Sequence, residues 1–481
     1  MAILSGLKPE RVFSYFEELS RVPRGSGNTA SASNLCAAYA RQLGLRCRQD
    51  AANNVIIWKD ASPGYEGAAP IILQGHLDMV CAKTEDCTKD MATQGLDLVT
   101  DGEWIWADKT SLGADNGVAI AIILAILTDD TLPHPPIEAV FTADEEIGLV
   151  GAFALDCSDL RGRTLLNLDF EDEGVFTVSS AGGVSLDCAL AAAREPLDGE
   201  CCYEIVLDGL IGGHSGADID KGRASANPLM VRVLYSAMEQ IPLLRLCDIH
   251  GGQFDNVISP SCRAKIAVPH EQAQALEQFL ASFGGVLKNE WACEPELSLS
   301  WNAAAPSDAL SVRDTSRALH LLLGLPHGVQ AMSMEFPGLV QTSLNFSFVC
   351  LEPDGLRFTC SIRSCIASQK AMMVQRVRAA VESAGGSVAE RSDYPGWQYA
   401  KSSALRELIL SAYRDISGRE GRVVASHGGL ECGLFVDRIP GLDAISTGPD
   451  LQGVHSVHER VSVRSIAHLY DLVCEVLKRS R

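Results

Sequence analysis

Apolar positions along this chain switch between helical and strand spacing, and the switches mark its elements. Val12, Phe13, Phe16, Leu19 and Val22 recur every three to four residues, which predicts a helix over residues 9–22. A second helix is predicted over residues 30–43, with Leu35, Ala38 and Leu43 on its apolar face. Val55-Ile56-Ile57-Trp58 reads as a strand, and Ile71-Ile72-Leu73 as a buried strand that runs to Gly75. Residues 81–110 read as a long irregular connection, a kind that is often functional in compact domains. Residues 118–127 are almost wholly apolar and fit a buried helix. Further strands are expected over residues 137–142 and 165–170, with a short helix ending near Ala154 between them. Alternating strands and helices predict an α/β fold with a largely parallel sheet. In such sheets ligands gather beyond the carboxyl ends of the strands.

Near residue 186 the character changes. Strands over 203–208 and 346–351 are interleaved with amphipathic helices over 227–240 and 271–283, and none of these strands ends in a cluster of metal-type residues. After Trp397 the earlier pattern returns. A helix over 402–416 leads to a strand over 422–426, and a Gly-rich loop at 427–433 opens another helix. A strand over 443–446, a loop over 448–455 and a last helix over 463–477 complete the chain. This order predicts one domain formed by residues 1–186 and 395–481, with residues 187–394 inserted as a second α/β domain. The insertion is long enough for two similar halves, although no repeat stands out.

The 481 residues suffice for two or three domains. With 47% hydrophobic and 21% charged residues the composition is that of an ordinary soluble protein. No apolar run is long enough to span a membrane, and the first residues lack the basic region and apolar core of a secretory signal. A net charge of −21 argues against nucleic acid and anionic membranes as partners. Sixteen cysteines occur without any Cys-x-x-Cys pair, so reduced thiols in the cytoplasm are expected, not disulfides or a thiolate zinc site.

The candidate chemistry begins at Gln74-Gly75-His76-Leu77-Asp78-Met79-Val80. Side chains on a strand alternate, so His76 and Asp78 fall on one side. The imidazole suits a metal, and the carboxylate suits the ring's other nitrogen. Asp115 lies at or just before a helix N-terminus, where backbone N–H groups favour an anion. Glu145 and Glu146 follow one strand, Asp169 ends another, and His455 sits in the loop at 448–455. Two zinc ions about 3.5 Å apart need a bridging carboxylate, further histidine and carboxylate ligands, and a bridging water that becomes hydroxide near neutral pH. Asp115 can bridge, His76 and Asp169 can complete one metal, and Glu146 and His455 the other. Glu145 is then free to act as general base, and Asp78 to orient His76. Taken singly, these residues have plainer readings: a helix cap at Asp115, a solvated turn at Glu145-Glu146, a salt bridge at Asp169. Five ligand-type residues at successive strand or loop ends of one sheet are hard to attribute to chance.

The motifs Gly-His-Leu-Asp-Met-Val, Leu-Gly-Ala-Asp-Asn-Gly-Val, Asp-Glu-Glu-Ile-Gly, Asn-Leu-Asp and Gly-Pro…Val-His-Ser resemble those of the dinuclear-zinc peptidases, in that family's order and over nearly the whole chain. Within the family the sequence is most similar to the aminoacyl-histidine dipeptidases, or cytosol non-specific dipeptidases. The resemblance implies His76, Asp115, Glu146, Asp169 and His455 as ligands, Glu145 as base, Asp78 as orienter and the inserted domain as a lid. It also gives meaning to Gly212-Gly213-His214-Ser215-Gly216-Ala217-Asp218, which reads by itself as a Gly-rich turn. In the family the histidine of this stretch stabilises the reacting carbonyl, in some members across a dimer interface, and His214 can donate a hydrogen bond to an oxyanion. Asn256 and Arg363 match lid positions, and the Arg363 guanidinium suits a dipeptide's C-terminal carboxylate. Glu431, in His427-Gly428-Gly429-Leu430-Glu431-Cys432-Gly433, is a candidate for the substrate's amine. The chain departs from the family at Val457-His458, where many members have Pro and an acidic residue. This adds His458 as a second histidine near the site, with His455 favoured as the ligand. Gln253-Phe254-Asp255-Asn256 is an unusual version of its motif. The implied activity is hydrolysis of dipeptides with a free N-terminus, including Xaa-His and β-alanyl-histidine, by a homodimer holding two divalent ions, with zinc favoured and cobalt or manganese also suited. A deacylase of N-acyl amino acids and an inactive metal-binding homologue are the alternatives, but no ligand or base is missing.

Overall fold

The apolar runs of the first and last parts of the chain come together in one eight-stranded sheet. The computed structural model describes residues 2–481. In spatial order the strands are Arg46–Gln49, Val55–Lys59, Ile137–Thr142, Ile71–His76, Thr164–Asn167, Asp443–Ser446, Val175–Ser180 and Arg422–Ser426. The centre of the sheet is parallel: Ile71–His76 pairs with Ile137–Thr142 and Thr164–Asn167, and the latter with Asp443–Ser446. The flanking pairs at Arg46–Gln49, Val55–Lys59 and Val175–Ser180 are antiparallel. Every residue of Ile71–His76 and Ile137–Thr142 is buried, because helices cover both faces, and this is why these strands read as unbroken apolar runs. The helix Ala114–Leu127 is buried at every position except Asp115.

Register explains where the polar ends go. His76 pairs with Thr142, and Gln74 with Asn167. The three parallel strands therefore stop at one edge, and the residues that follow them leave the sheet side by side. The connection at 81–110 is less irregular than its composition predicts. It holds Leu98–Thr100 and Trp104–Ala107, which join Arg460–Ser462 and Leu451–Gln452 in a four-stranded sheet. Such short strands form because a distant segment completes their ladder.

The chain divides into two units. The first comprises the chain up to Ser180, Trp397–Ala425 and Leu430–Arg481, and the second Ala181–Gly396 with Ser426–Gly429. The junctions at 181 and 396 lie a few residues from the expected 187 and 394, since Gly182 already pairs with Ser364. Glycines at 182 and 183 carry no side-chain pattern that would announce a strand. The second unit is one continuous nine-stranded antiparallel sheet, and its strand order fits the expected two similar halves: Cys201–Asp208, Arg245–Gly251, Cys262–Val268 and Ser298–Ala304 form one side, Gly182–Ala191, Val340–Glu352, Gly355–Ser364 and Ser387–Tyr394 the other, each with two helices and in mirrored order. Its longest strands, Val340–Glu352 and Gly355–Ser364, form a hairpin at the middle. Four long helices, Ala226–Gln240, Ala273–Glu290, Val312–Gly324 and Ala367–Ser383, supply the other half of a core that includes Leu186, Ile205, Leu246, Ile266, Phe346 and Phe358. Among the described residues no helix is long and apolar enough to cross a membrane.

Candidate active site

The first unit's site is built around Asp78. The strand Ile71–His76 ends at His76, and two residues later Asp78 turns back beneath it, fully buried. Asp78 Oδ1 lies 3.4 Å from His76 Nδ1. The same carboxylate accepts the backbone N–H of Glu145 (2.9 Å) and of Glu146 (3.2 Å), and the Ser26 hydroxyl (2.8 Å). Burial pushes the Asp78 carboxyl up, but His76 and these donors outweigh it and hold it at about 2. One carboxylate thus orients the imidazole and also holds the turn that carries both glutamates.

Asp115 stands opposite. Its Oδ1 is 3.0 Å from His76 Nε2, and its Oδ2 is 3.3 Å from His455 Nε2. His76 Nε2 is also 3.6 Å from Asp169 Oδ1, and His455 Nε2 is 3.0 Å from Glu146 Oε1. Each imidazole therefore faces two carboxylates, and Asp115 is shared between them. Ligand atoms each about 2.1 Å from one tetrahedral ion lie about 3.4 Å from one another, and the observed separations of 3.0 to 3.6 Å bracket that value. His76, Asp115 and Glu146 together offer ligand atoms within 4.8 Å of one another. His455 and His458 are both exposed on the same loop, but it is His455 whose Nε2 reaches Asp115 and Glu146. His455 takes a positive φ of 62° to do so.

The electrostatics point the same way. Asp78, Asp115, Glu145, Glu146, Asp169 and Glu431 face two imidazoles, with the buried Arg24 guanidinium a further positive charge near Asp78 and Asp115. Burial pushes Glu145 well above the usual carboxylate range, and the charges of Asp169, Glu431 and Glu146 add to it. Asp169 is pushed up to about 6, by burial first and then by Asp115 and Glu146 against the pull of His76. His455 is raised to about 10 by its hydrogen bonds to Asp115 and Glu146. His76 is raised well above its usual value, because its carboxylate neighbours overcome its burial. Buried charge of one sign needs a counter-charge, and imidazole and carboxylate donors at these separations fit divalent cations.

Three residues that the sequence motifs did not single out fix Asp115. Glu459, 2% exposed, accepts the N–H groups of Leu112, Gly113, Ala114 and Asp115 at 2.8, 2.9, 2.8 and 3.3 Å. Arg24, 1% exposed, donates to the carbonyls of Leu77, Asp78 and Gly113. Asn116 accepts from the His76 N–H and donates to Leu168 O and Asp169 Oδ1. Gly75 is needed for this contact, since a Cβ there would stand 2.4 Å from Asn116 Oδ1. Glu459 follows His455 by four residues, and that acidic residue beside a ligand loop was the available signal.

Glu431 lies under the cluster and not on its rim. It is fully buried, and its Oε2 accepts from Gln74 Nε2 (2.6 Å) and the Thr142 hydroxyl (2.7 Å). Its Oε1 has no hydrogen-bond partner. Burial raises its carboxyl to about 7.

In the second unit His214, Asn256 and Arg363 are brought together. The Ser215 N–H donates to the Asn256 carbonyl (2.8 Å), and Arg363 donates to Ser215 Oγ (3.4 Å) and Tyr394 Oη (3.2 Å). That last contact and its neighbours orient the guanidinium. His214 Nδ1 accepts the N–H groups of Gly216 and Ala217, both at 3.2 Å. The ring proton is thereby assigned to Nε2, which remains free to donate. Burial, and then the Arg363 charge, lower its pKa and keep the ring neutral.

Comparison with known proteins identifies the family. A family model described as a peptidase dimerisation domain matches residues 205–292. The chain is 34% identical to the cytosol non-specific dipeptidase of Escherichia coli, over 99% of both chains. It superposes on the crystal structure of aminoacylhistidine dipeptidase from Vibrio alginolyticus with a TM-score of 0.92 at 32% identity, covering 99% of this chain and 98% of that one. Aminopeptidase PepT from Bacillus cereus shares the fold, with a TM-score of 0.57 at 16% identity over 98% of each chain.

Two outcomes are expected. Glu459→Gln leaves two backbone amides facing an NH2 group, loosens Asp115, and lowers divalent-metal affinity by about 10- to 100-fold in equilibrium dialysis while the far-UV spectrum is unchanged. In the metal-free protein His455 binds its proton more tightly when folded, so its contribution to stability is complete below pH 6.5 and is lost as the pH rises towards 10. Asp169 acts in the same direction between 3.8 and about 6. With chelator present the thermal midpoint should fall as the pH is raised from 6.5 to 10, and His455→Ala should flatten that slope.

Proposed function

Because the chain is a metallopeptidase of the family that contains the cytosol non-specific dipeptidase, we propose that it hydrolyses dipeptides with a free N-terminus, Xaa-His and β-alanyl-histidine among them. The observation that supports this most is Asp115, with one oxygen towards His76 and the other towards His455. Two divalent cations, zinc or else cobalt or manganese, fit between these donors and when bound supply Lewis acidity and lower the pKa of water. His76 and Asp169 would hold one, Glu146 and His455 the other, with Asp115 available to both. Asp78 keeps the His76 Nδ1 proton and leaves Nε2 as the donor atom.

Glu145 takes part in none of these pairs. Its carboxylate accepts a proton from the attacking water and returns it to the leaving amine. His214 donates its Nε2–H to the oxyanion that develops on the scissile carbonyl. The Arg363 guanidinium, oriented by Ser215 and Tyr394, pairs with the C-terminal carboxylate. The exposed Asn256 side chain offers a hydrogen bond to the peptide. Glu431 has no exposed atom, so it acts on substrate recognition from beneath the site, by holding the Gln74 and Thr142 side chains, and not by contact. The dimerisation model over residues 205–292 supports a homodimer, and free thiols throughout the described chain fit a cytoplasmic location.

Amine release from a dipeptide panel and an N-acetyl amino acid panel tests this reading. Dipeptides should turn over, chelation should abolish turnover, and Glu145→Gln should lower kcat by about 100- to 10,000-fold with metal content retained. Turnover of N-acetyl substrates alone would replace the dipeptidase by a deacylase.

A further inference from the structure

Glu294 is 3% exposed and has no part in the mechanism above. A carboxylate so buried persists only when its oxygens are hydrogen-bonded. Its Oε2 accepts the Ile211 N–H at 2.7 Å, and its Oε1 accepts the Ala224 N–H at 2.9 Å. Those two amides are the ends of the loop that carries His214. One side chain therefore closes the loop at both ends.

The clamp is itself anchored. The strand Cys201–Asp208 leads into the loop and pairs with Ser298–Ala304, with Leu207 opposite Leu299 and Asp208 opposite Ser298. Gly209 passes so near the Glu296 carbonyl that a Cβ would meet it at 2.0 Å. The turn bearing Glu294 is thus fixed at the loop's stem by the edge of the sheet. Apolar burial holds the loop at Leu210, Ile219 and Ala224, but Ile211 is 55% exposed and the ladder to Val257–Ile258 is two residues long. Around His214 itself polar contacts hold the backbone. Asp218 Oδ2 accepts the His214 N–H at 2.8 Å, and Arg223 donates to the Gly212 carbonyl at 2.7 Å.

We propose that Glu294 is a positioning residue for the reaction: by tying Ile211 to Ala224 it sets the direction of the His214 Nε2–H. This rests on the reading of His214 as the oxyanion donor. A donor aimed at an oxyanion loses most of its effect when displaced by about 1 Å, so a loosened loop should cost kcat and spare KM.

The test is a double-mutant cycle with Glu294→Gln and His214→Ala in the metal-loaded enzyme, together with hydrogen exchange over residues 210–225. Glu294→Gln is expected to lower kcat by about ten- to hundredfold with KM nearly unchanged. Exchange should speed up in the 210–225 segment only. In the His214→Ala background the same change should cost little more, because the group it positions is gone. A loss that is additive with His214→Ala, or unaltered exchange in the segment, overturns the proposal. If His214→Ala alone leaves kcat intact, the oxyanion assignment fails, and exchange still reports whether the clamp holds the loop. Should Glu294→Gln not fold, Glu294→Asp, which keeps both acceptors on a shorter arm, is read by the same criteria.

Discussion

Most of the site depends on the carboxylate of Asp78. It is the single acceptor shared by an imidazole, two backbone amides and a hydroxyl that come from three separate segments. Its burial would be costly if any of these partners were absent. Because all are present, the strand end at His76 and the turn at Glu145-Glu146 are held to each other and not merely near each other. The direction of His76 Nε2 towards Asp115 and Asp169 follows from where Nδ1 is held.

Around that anchor the first unit gathers more negative charge than it can neutralise. The proteins of this family are metallopeptidases, and cations held by these carboxylates and imidazoles would supply the positive charge the cluster needs. The arrangement costs stability in one state so as to bind tightly in another, as functional sites commonly do. Glu459 and Arg24 carry the supporting load: one collects four amides of the segment leading into Asp115, and the other gathers carbonyls from both segments that flank the cluster.

The second unit solves a different problem. Its functional candidates sit on turns of an antiparallel sheet and not at parallel strand ends. They are joined by backbone contacts such as that from Ser215 to Asn256 and by the side chain of Arg363. Little in local composition distinguishes these turns. Gly212-Gly213-His214-Ser215 reads as any flexible loop, and only the motif resemblance singled out His214. Glu294 was invisible for a stronger reason. A glutamate in Trp-Ala-Cys-Glu-Pro-Glu has the look of a solvated turn, and its partners lie about seventy to eighty residues upstream.

The sequence by itself determined the parts whose cause is local. Apolar periodicity set the central strands and the buried helix after Asp115, and strand ends with His-x-Asp, Glu-Glu and Asn-Leu-Asp named the residues that meet. Tertiary structure decided what depends on partners far along the chain. It selected His455 over His458, placed Glu431 beneath the site, completed short strands within residues 81–110, and turned Glu459, Arg24 and Asn116 into supports. The reason is physical: a side chain's chemistry is written at its own position, but its burial and hydrogen bonds belong to neighbours that only folding supplies.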